Sequence, residues 1–214
     1  MTSKAAVNRI IETLKGIYPD GLCSLQYKKD YELLFAVRLS AQCTDERVNK
    51  VTPALYARFA TLESFAEADP AEVGEYIHSC GFYNGKARDI VACAQKLVNE
   101  YGGRVPGTME ELTGLPGVGR KTANLILGDV FGQPAYVCDT HCIRITGRLG
   151  ITDGSKDPLQ VERQLRERIP PKESNNFCHR MVLFGRDTCT ARSPKCEGCP
   201  LAKDCDTAKA ARRG

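Results

Sequence analysis

Four cysteines, Cys189-x6-Cys196-x2-Cys199-x5-Cys205, fall within seventeen residues of a 214-residue chain. Thiolates this close can wrap one metal centre at small loop-closure cost, and binding supplies ordering energy that a tail poor in aliphatic residues lacks. Paired disulfides are disfavoured in a reducing compartment. Structural zinc ordinarily takes two C-x2-C pairs, of which only one is present, and a four-iron cluster also takes four cysteines. Chemistry alone leaves zinc and cluster level. Arg192 and Lys195 stand between ligands; free, they are solvated charge, but held rigid beside a metal they can meet phosphates.

A second set of residues centres on Leu115-Pro116-Gly117-Val118-Gly119-Arg120-Lys121. Two glycines allow a tight turn that leaves the free amides of the following helix pointing outward, an anion site that no side chain blocks. The glycine spacing fits neither a P-loop nor a dinucleotide fingerprint, and a plain helix-turn-helix corner is nearly as good a reading. Lys121 lies in the first turn of that helix, where the positive helix end favours a neutral amine and partial burial would push the same way. Such a lysine can be a Schiff-base nucleophile or simply a phosphate ligand. Its candidate partner is Asp139 in Val137-Cys138-Asp139-Thr140-His141, a position that also suits an ordinary helix N-cap. Arg144 and Arg148, four residues apart, make one helical edge suited to phosphate contact.

The elements that must carry these groups read as helices throughout. Val7, Ile10, Ile11, Leu14 and Ile17 form one apolar stripe, and Tyr31, Leu34, Phe35 and Leu39 a second. Ile90, Ala94, Leu97 and Tyr101 mark a long helix from Lys86 that stops at Gly102-Gly103. Thr52-Pro53, Asp69-Pro70 and Asp157-Pro158 read as helix starts, and Thr108 with Glu111 as a capping box. No period-two stretch or solenoid repeat is present, so the expected class is all-α. The composition is 42% hydrophobic and 26% charged with a net charge of +4, which excludes a histone-like polycation but allows a local basic face. No apolar run approaches the roughly 18 residues that cross a bilayer, and the start reads as an amphipathic helix. The expected location is the cytoplasm. The seven cysteines scattered from Cys23 to Cys178 are expected to pack the core.

Taken together, the hairpin with Lys121, the Val-Cys-Asp-Thr-His segment and the C-x6-C-x2-C-x5-C tail resemble endonuclease III, a helix-hairpin-helix family of DNA glycosylases. Leu39-Ser40-Ala41-Gln42-Cys43-Thr44-Asp45 and Gly81-Phe82-Tyr83-Asn84-Gly85-Lys86-Ala87 are also similar to family segments, so the likeness spans nearly the whole chain. It implies two lobes. One is a six-helix barrel over 23–132, with the hairpin at about 108–128. The other, 1–22 with 133–214, holds a [4Fe-4S] cluster on Cys189, Cys196, Cys199 and Cys205, and DNA lies across the cleft between them.

The resemblance further implies that Lys121 is the catalytic amine and Asp139 the carboxylate. Gln42 would fill the gap left by an extruded nucleotide, and Phe82 would wedge the opposite strand where many relatives carry Leu. Leu115, Gly117, Val118 and Gly119 would hold a phosphate through the backbone, with a monovalent cation on their carbonyls. The implied activity is removal of oxidised pyrimidines such as thymine glycol from damaged double-stranded DNA, followed by lysine-mediated strand cleavage. The protein is expected to act as a monomer without membrane contact, associated with the nucleoid through DNA. Four alternatives are weaker. An adenine glycosylase or a mismatch thymine glycosylase of the same superfamily lacks the hairpin lysine, and a non-catalytic DNA clamp or a cluster-based electron carrier would leave Lys121 and Asp139 idle.

Overall fold

The computed structural model describes residues 1–211; of the lobe expected over 133–214, residues 212–214 lie outside the described residues. Every regular element among the described residues is helical. The chain divides into two compact units, Cys23–Gly132 and Met1–Leu22 with Gln133–Gly214. The first helix, α1 (Lys4–Ile17), belongs to the second of these and buries Val7, Ile10, Ile11 and Leu14 of the predicted stripe, whereas Ile17, at the helix end, is exposed. Ser3 caps it by accepting from the Ala6 amide.

Cys23–Gly132 contains α2 (Asp30–Leu39), α3 (Asp45–Arg58), α4 (Leu62–Ala66), α5 (Pro70–Ile77), α6 (Tyr83–Tyr101), α7 (Met109–Thr113) and α8 (Arg120–Asp129). A single 3-10 turn, His78–Cys80, precedes α6. Leu33, Leu34 and Phe35 of α2, Leu55 of α3, Phe65 of α4, Ile90 and Leu97 of α6 and Ile126 of α8 are all at most 1% exposed. Each such aliphatic or aromatic side chain stabilises the unit by about 1.5–3 kcal/mol through burial. Phe65 anchors an aromatic group, with ring centroids 5.0 Å from Phe35 and 5.1 Å from Phe59. Asp69 caps α5 ahead of Pro70, and Gly102 ends α6 in a left-handed conformation. Thr52-Pro53 corrects the sequence reading. Pro53 lies inside α3, whose start is set earlier by Thr44, accepting from the Arg47 amide, with Asp45 and Glu46 in the first turn. A complete cap eight residues upstream outweighs the one main-chain bond that an exposed proline removes.

In the other unit, α9 (Thr140–Leu149), α10 (Pro158–Arg168), α11 (Ser174–Asp187) and α12 (Asp206–Ala211) follow in order, with a 3-10 turn at Pro171–Glu173. Helix α11 contacts α1 and α9, and α12 contacts α9. Asp157 caps α10 ahead of Pro158, as its sequence suggests. Arg180 of α11, 4% exposed, donates from Nε and Nη2 to the carbonyls of Tyr18 and Pro19, each at 2.9 Å, and so ties down the end of the N-terminal segment. No helix of the described residues is long and apolar enough to cross a membrane.

Candidate functional site

The glycine hairpin joins α7 to α8. Leu115 and Val118 turn inward and are buried, and the Val118 amide donates to the Leu115 carbonyl at 3.2 Å, closing the turn. Gly117 and Gly119 are both exposed, but a side chain at each would meet different surroundings. Gly117 has φ +74°, and a Cβ there would lie 2.9 Å from both Arg38 Nε and Asp89 Cβ. Those two side chains form an ion pair beneath the hairpin, with Arg38 Nε donating to Asp89 Oδ2 at 2.7 Å. Gly119, at φ −97°, is the N-cap of α8 and offers no side-chain cap, while nothing lies within 4 Å of the position a Cβ would take. The space in front of the α8 N-terminus at Gly119 is therefore open to an approaching anion.

Lys121 is the second residue of α8 and is exposed. The buried run of α8 begins only at Ala123, so Lys121 precedes the part of the helix that enters the core.

Gln42 and Phe82 occupy two short turns of the same unit. They are the non-glycine residues with positive φ among the described residues, at 55° and 49°. Left-handed backbone costs a side-chain-bearing residue about 1–3 kcal/mol and persists only where the surroundings impose it. Gln42 is exposed, and Phe82 is 76% exposed, an unusual placement for a phenyl ring.

In the other unit, Asp139 is the N-cap of α9 and its Oδ1 accepts from the Cys142 amide at 2.7 Å. The apolar run Ala135 to Cys138 ahead of it is buried, and Tyr136 donates its hydroxyl proton to the Ile169 carbonyl at 2.9 Å, so the cap is firmly set. His141 packs against α11, where a Cβ on Gly185 would lie 2.3 Å from its Nδ1.

Arg144 and Arg148, expected as a phosphate edge, direct donors into the chain. Arg144 Nη2 donates to the Cys189 carbonyl at 3.0 Å. Arg148 donates to the Thr190 carbonyl at 2.8 Å, the Ala191 carbonyl at 2.9 Å and Cys189 Sγ at 3.3 Å. Both arginines also line a groove of about 540 Å³ along α9, together with Lys156, which the sequence reading missed. Arg192 and Lys195 are exposed.

Cys189, Cys196, Cys199 and Cys205 line one cavity of about 140 Å³, walled by Leu149, Phe184, Leu201 and Ala202. The Cys199 thiol is pushed up by burial, a Leu201 backbone hydrogen bond opposes this, and the Cys189, Cys205 and Cys196 sulfurs add to the upward shift. Among the described residues, no three of these sulfurs come within 4.8 Å of one another. Four thiolates lining one cavity can hold either a single ion or a polynuclear cluster. Of the seven scattered cysteines, Cys80, Cys93, Cys138, Cys142 and Cys178 are buried, whereas Cys23 and Cys43 are half-buried.

A family model described as HhH-GPD superfamily base excision DNA repair protein matches residues 35–171, and the iron-sulfur binding domain of endonuclease III matches residues 189–205. Endonuclease III of Synechocystis sp. is 46% identical over 210 residues, covering 98% of this chain and 95% of that protein. That of Bacillus subtilis is 39% identical over 195 residues, covering 91% and 89%. A solved structure of a trapped endonuclease III–DNA covalent intermediate superposes with a TM-score of 0.92 at 40% identity, covering 100% of both chains. A thermostable thymine-DNA glycosylase, 21% identical with a TM-score of 0.87 over 96% of this chain and 98% of that one, shares the fold.

Proposed function

This chain belongs to the endonuclease III family of base-excision DNA glycosylases and AP lyases, and we propose that it removes oxidised pyrimidines, thymine glycol among them, from duplex DNA and then cuts the strand through a lysine Schiff base. The observation that carries this reading is the open hairpin: space at Gly119 that no side chain fills, at a helix N-terminus where a backbone phosphate can bind, and the Lys121 amine exposed in the first turn beside it. The damaged nucleotide must leave the stack before its sugar can be attacked. Gln42 fills the vacated position and Phe82 wedges the opposite strand, both from turns whose backbone is held in a strained form. The hairpin holds the phosphate with the backbone of Leu115, Gly117, Val118 and Gly119, bridged by a monovalent cation on the carbonyls.

Lys121 Nζ attacks C1′ of the extruded nucleotide. As the new carbon–nitrogen bond forms, the bond to the base breaks and the base departs with a proton. Asp139 supplies a fixed negative charge for the positive charge that develops on the sugar. Opening of the sugar ring leaves a protonated imine, which acidifies the neighbouring C2′ proton. Loss of that proton expels the 3′ phosphate and cleaves the strand.

The protein carries an iron–sulfur cluster. We assign it as [4Fe-4S] on Cys189, Cys196, Cys199 and Cys205; when bound it supplies the ordering energy for the tail. Arg148 and Arg144 gather the loop at Cys189, and the same loop presents Arg192 and Lys195 to the DNA backbone. It acts in this reading as a monomer, associated with the nucleoid through its DNA contacts.

Borohydride reduction of the protein on a thymine-glycol duplex tests the mechanism. A covalent complex should form with the native chain and not with Lys121→Gln. A complex that survives the substitution refutes the lysine assignment.

A further inference from the structure

We propose that Lys86 is a positioning residue for nucleotide extrusion: its buried ammonium fixes the spacing between the two turns that present Gln42 and Phe82. This deepens the glycosylase reading above and rests on it. Lys86 lies in the first turn and a half of α6 and is 1% exposed. Its Nζ donates to the Leu39 carbonyl and to the Cys80 carbonyl, each at 2.8 Å. Leu39 ends α2, three residues before Gln42, and Cys80 ends the 3-10 turn, two residues before Phe82. One cation thus ties together the chain just upstream of both strained, exposed residues.

Each turn is also closed locally. The Cys43 amide donates to Ser40, and the amides of Gly85 and Lys86 donate to Phe82. These local bonds shape each turn but do not couple them; the ammonium does, beside a weaker thiol contact between Cys43 and Cys80. Coupling is what a wedge needs, since residues inserted into a duplex must resist the recoil of the base stack, and a small misplacement is costly. The choice of residue is otherwise hard to explain. Burial lowers the Lys86 pKa, nearby Cys43 and Cys80 oppose this, and a cation near a helix N-terminus is unfavourable. An apolar side chain would avoid both penalties if mere packing were required.

The test compares native protein, Lys86→Met and Lys121→Gln on two substrates. One is a thymine-glycol duplex, which must be opened; the other is a pre-formed abasic site in a single strand, which has no stack to open. Lys86→Met should slow single-turnover excision from the duplex about 100-fold while leaving single-strand cleavage near the native rate. In a Gln42→Ala/Phe82→Ala background, adding Lys86→Met should change little, because the three act as one unit. Equal loss on both substrates, no loss on the duplex, or full additivity with the wedge variants overturns the proposal. If Lys86→Met does not fold, as judged by its thermal melt, Lys86→Gln, whose uncharged side chain is one atom too short to hold both carbonyls at the native spacing, is read in the same way. A native protein that cleaves neither substrate overturns the glycosylase reading itself, and Lys121→Gln should lose both activities.

Discussion

The two hairpin glycines should respond in opposite ways to an added methyl group. At Gly117 the chain holds φ +74°, and the new Cβ would press to 2.9 Å against Arg38 Nε and Asp89 Cβ. Left-handed backbone in an alanine costs about 1–2 kcal/mol and the overpacking about 1–3 kcal/mol more. A loss of roughly 2–5 kcal/mol lowers the melting temperature of a chain this size by roughly 5–20 °C. At Gly119 the backbone is ordinary and the space around the Cβ is empty, so Gly119→Ala should weaken the α8 cap by only about 0.5–1 kcal/mol. That open space is where a phosphate would sit. Gly119→Ala should therefore bind duplex DNA about tenfold more weakly, equivalent to about 1.4 kcal/mol. Thermal melts and salt-controlled DNA titrations of both variants decide the matter. A Gly119→Ala protein that binds DNA like the native one, or a Gly117→Ala protein that melts with it, would refute the account of why each glycine is there.

Other substitutions probe the remaining parts. Asp139→Asn should keep most of its stability, since asparagine also caps helices, yet show a large loss of excision rate in single-turnover assays. Arg148→Lys leaves a single point charge where a fork now reaches Cys189, Thr190 and Ala191, so the iron–sulfur absorbance should bleach faster under a chelator than in the native protein. The Asp204 carboxyl is held below its ordinary value by a hydrogen bond from Arg9 and the accompanying charge attraction. A depressed carboxylate stabilises the fold above its ordinary pKa and loses that contribution as pH falls through the folded value. The difference in melting temperature between the native protein and Asp204→Asn should accordingly be present at pH 6 and shrink below about pH 4; a difference independent of pH would discount the pair.

What the sequence determines here is short-range. Caps such as Asp69, Thr108, Asp139 and Asp157 are legible because donor and acceptor lie within three residues of each other. The hairpin glycines and the cysteine tail are legible for the same reason, since their chemistry is written in adjacent positions. Pro53 shows where this fails: a local start signal was overridden by a better cap upstream. The inward hydrogen bonds of Arg148 reach partners more than forty residues away, and Lys86 reaches Leu39 across 47 positions. No local pattern specifies such partners, although a lysine on the same stripe as Ile90, Ala94 and Leu97 was a readable anomaly. The left-handed backbone at Gln42 and Phe82 is likewise decided by tertiary structure, because neither residue type favours it and only surrounding contacts can hold it there.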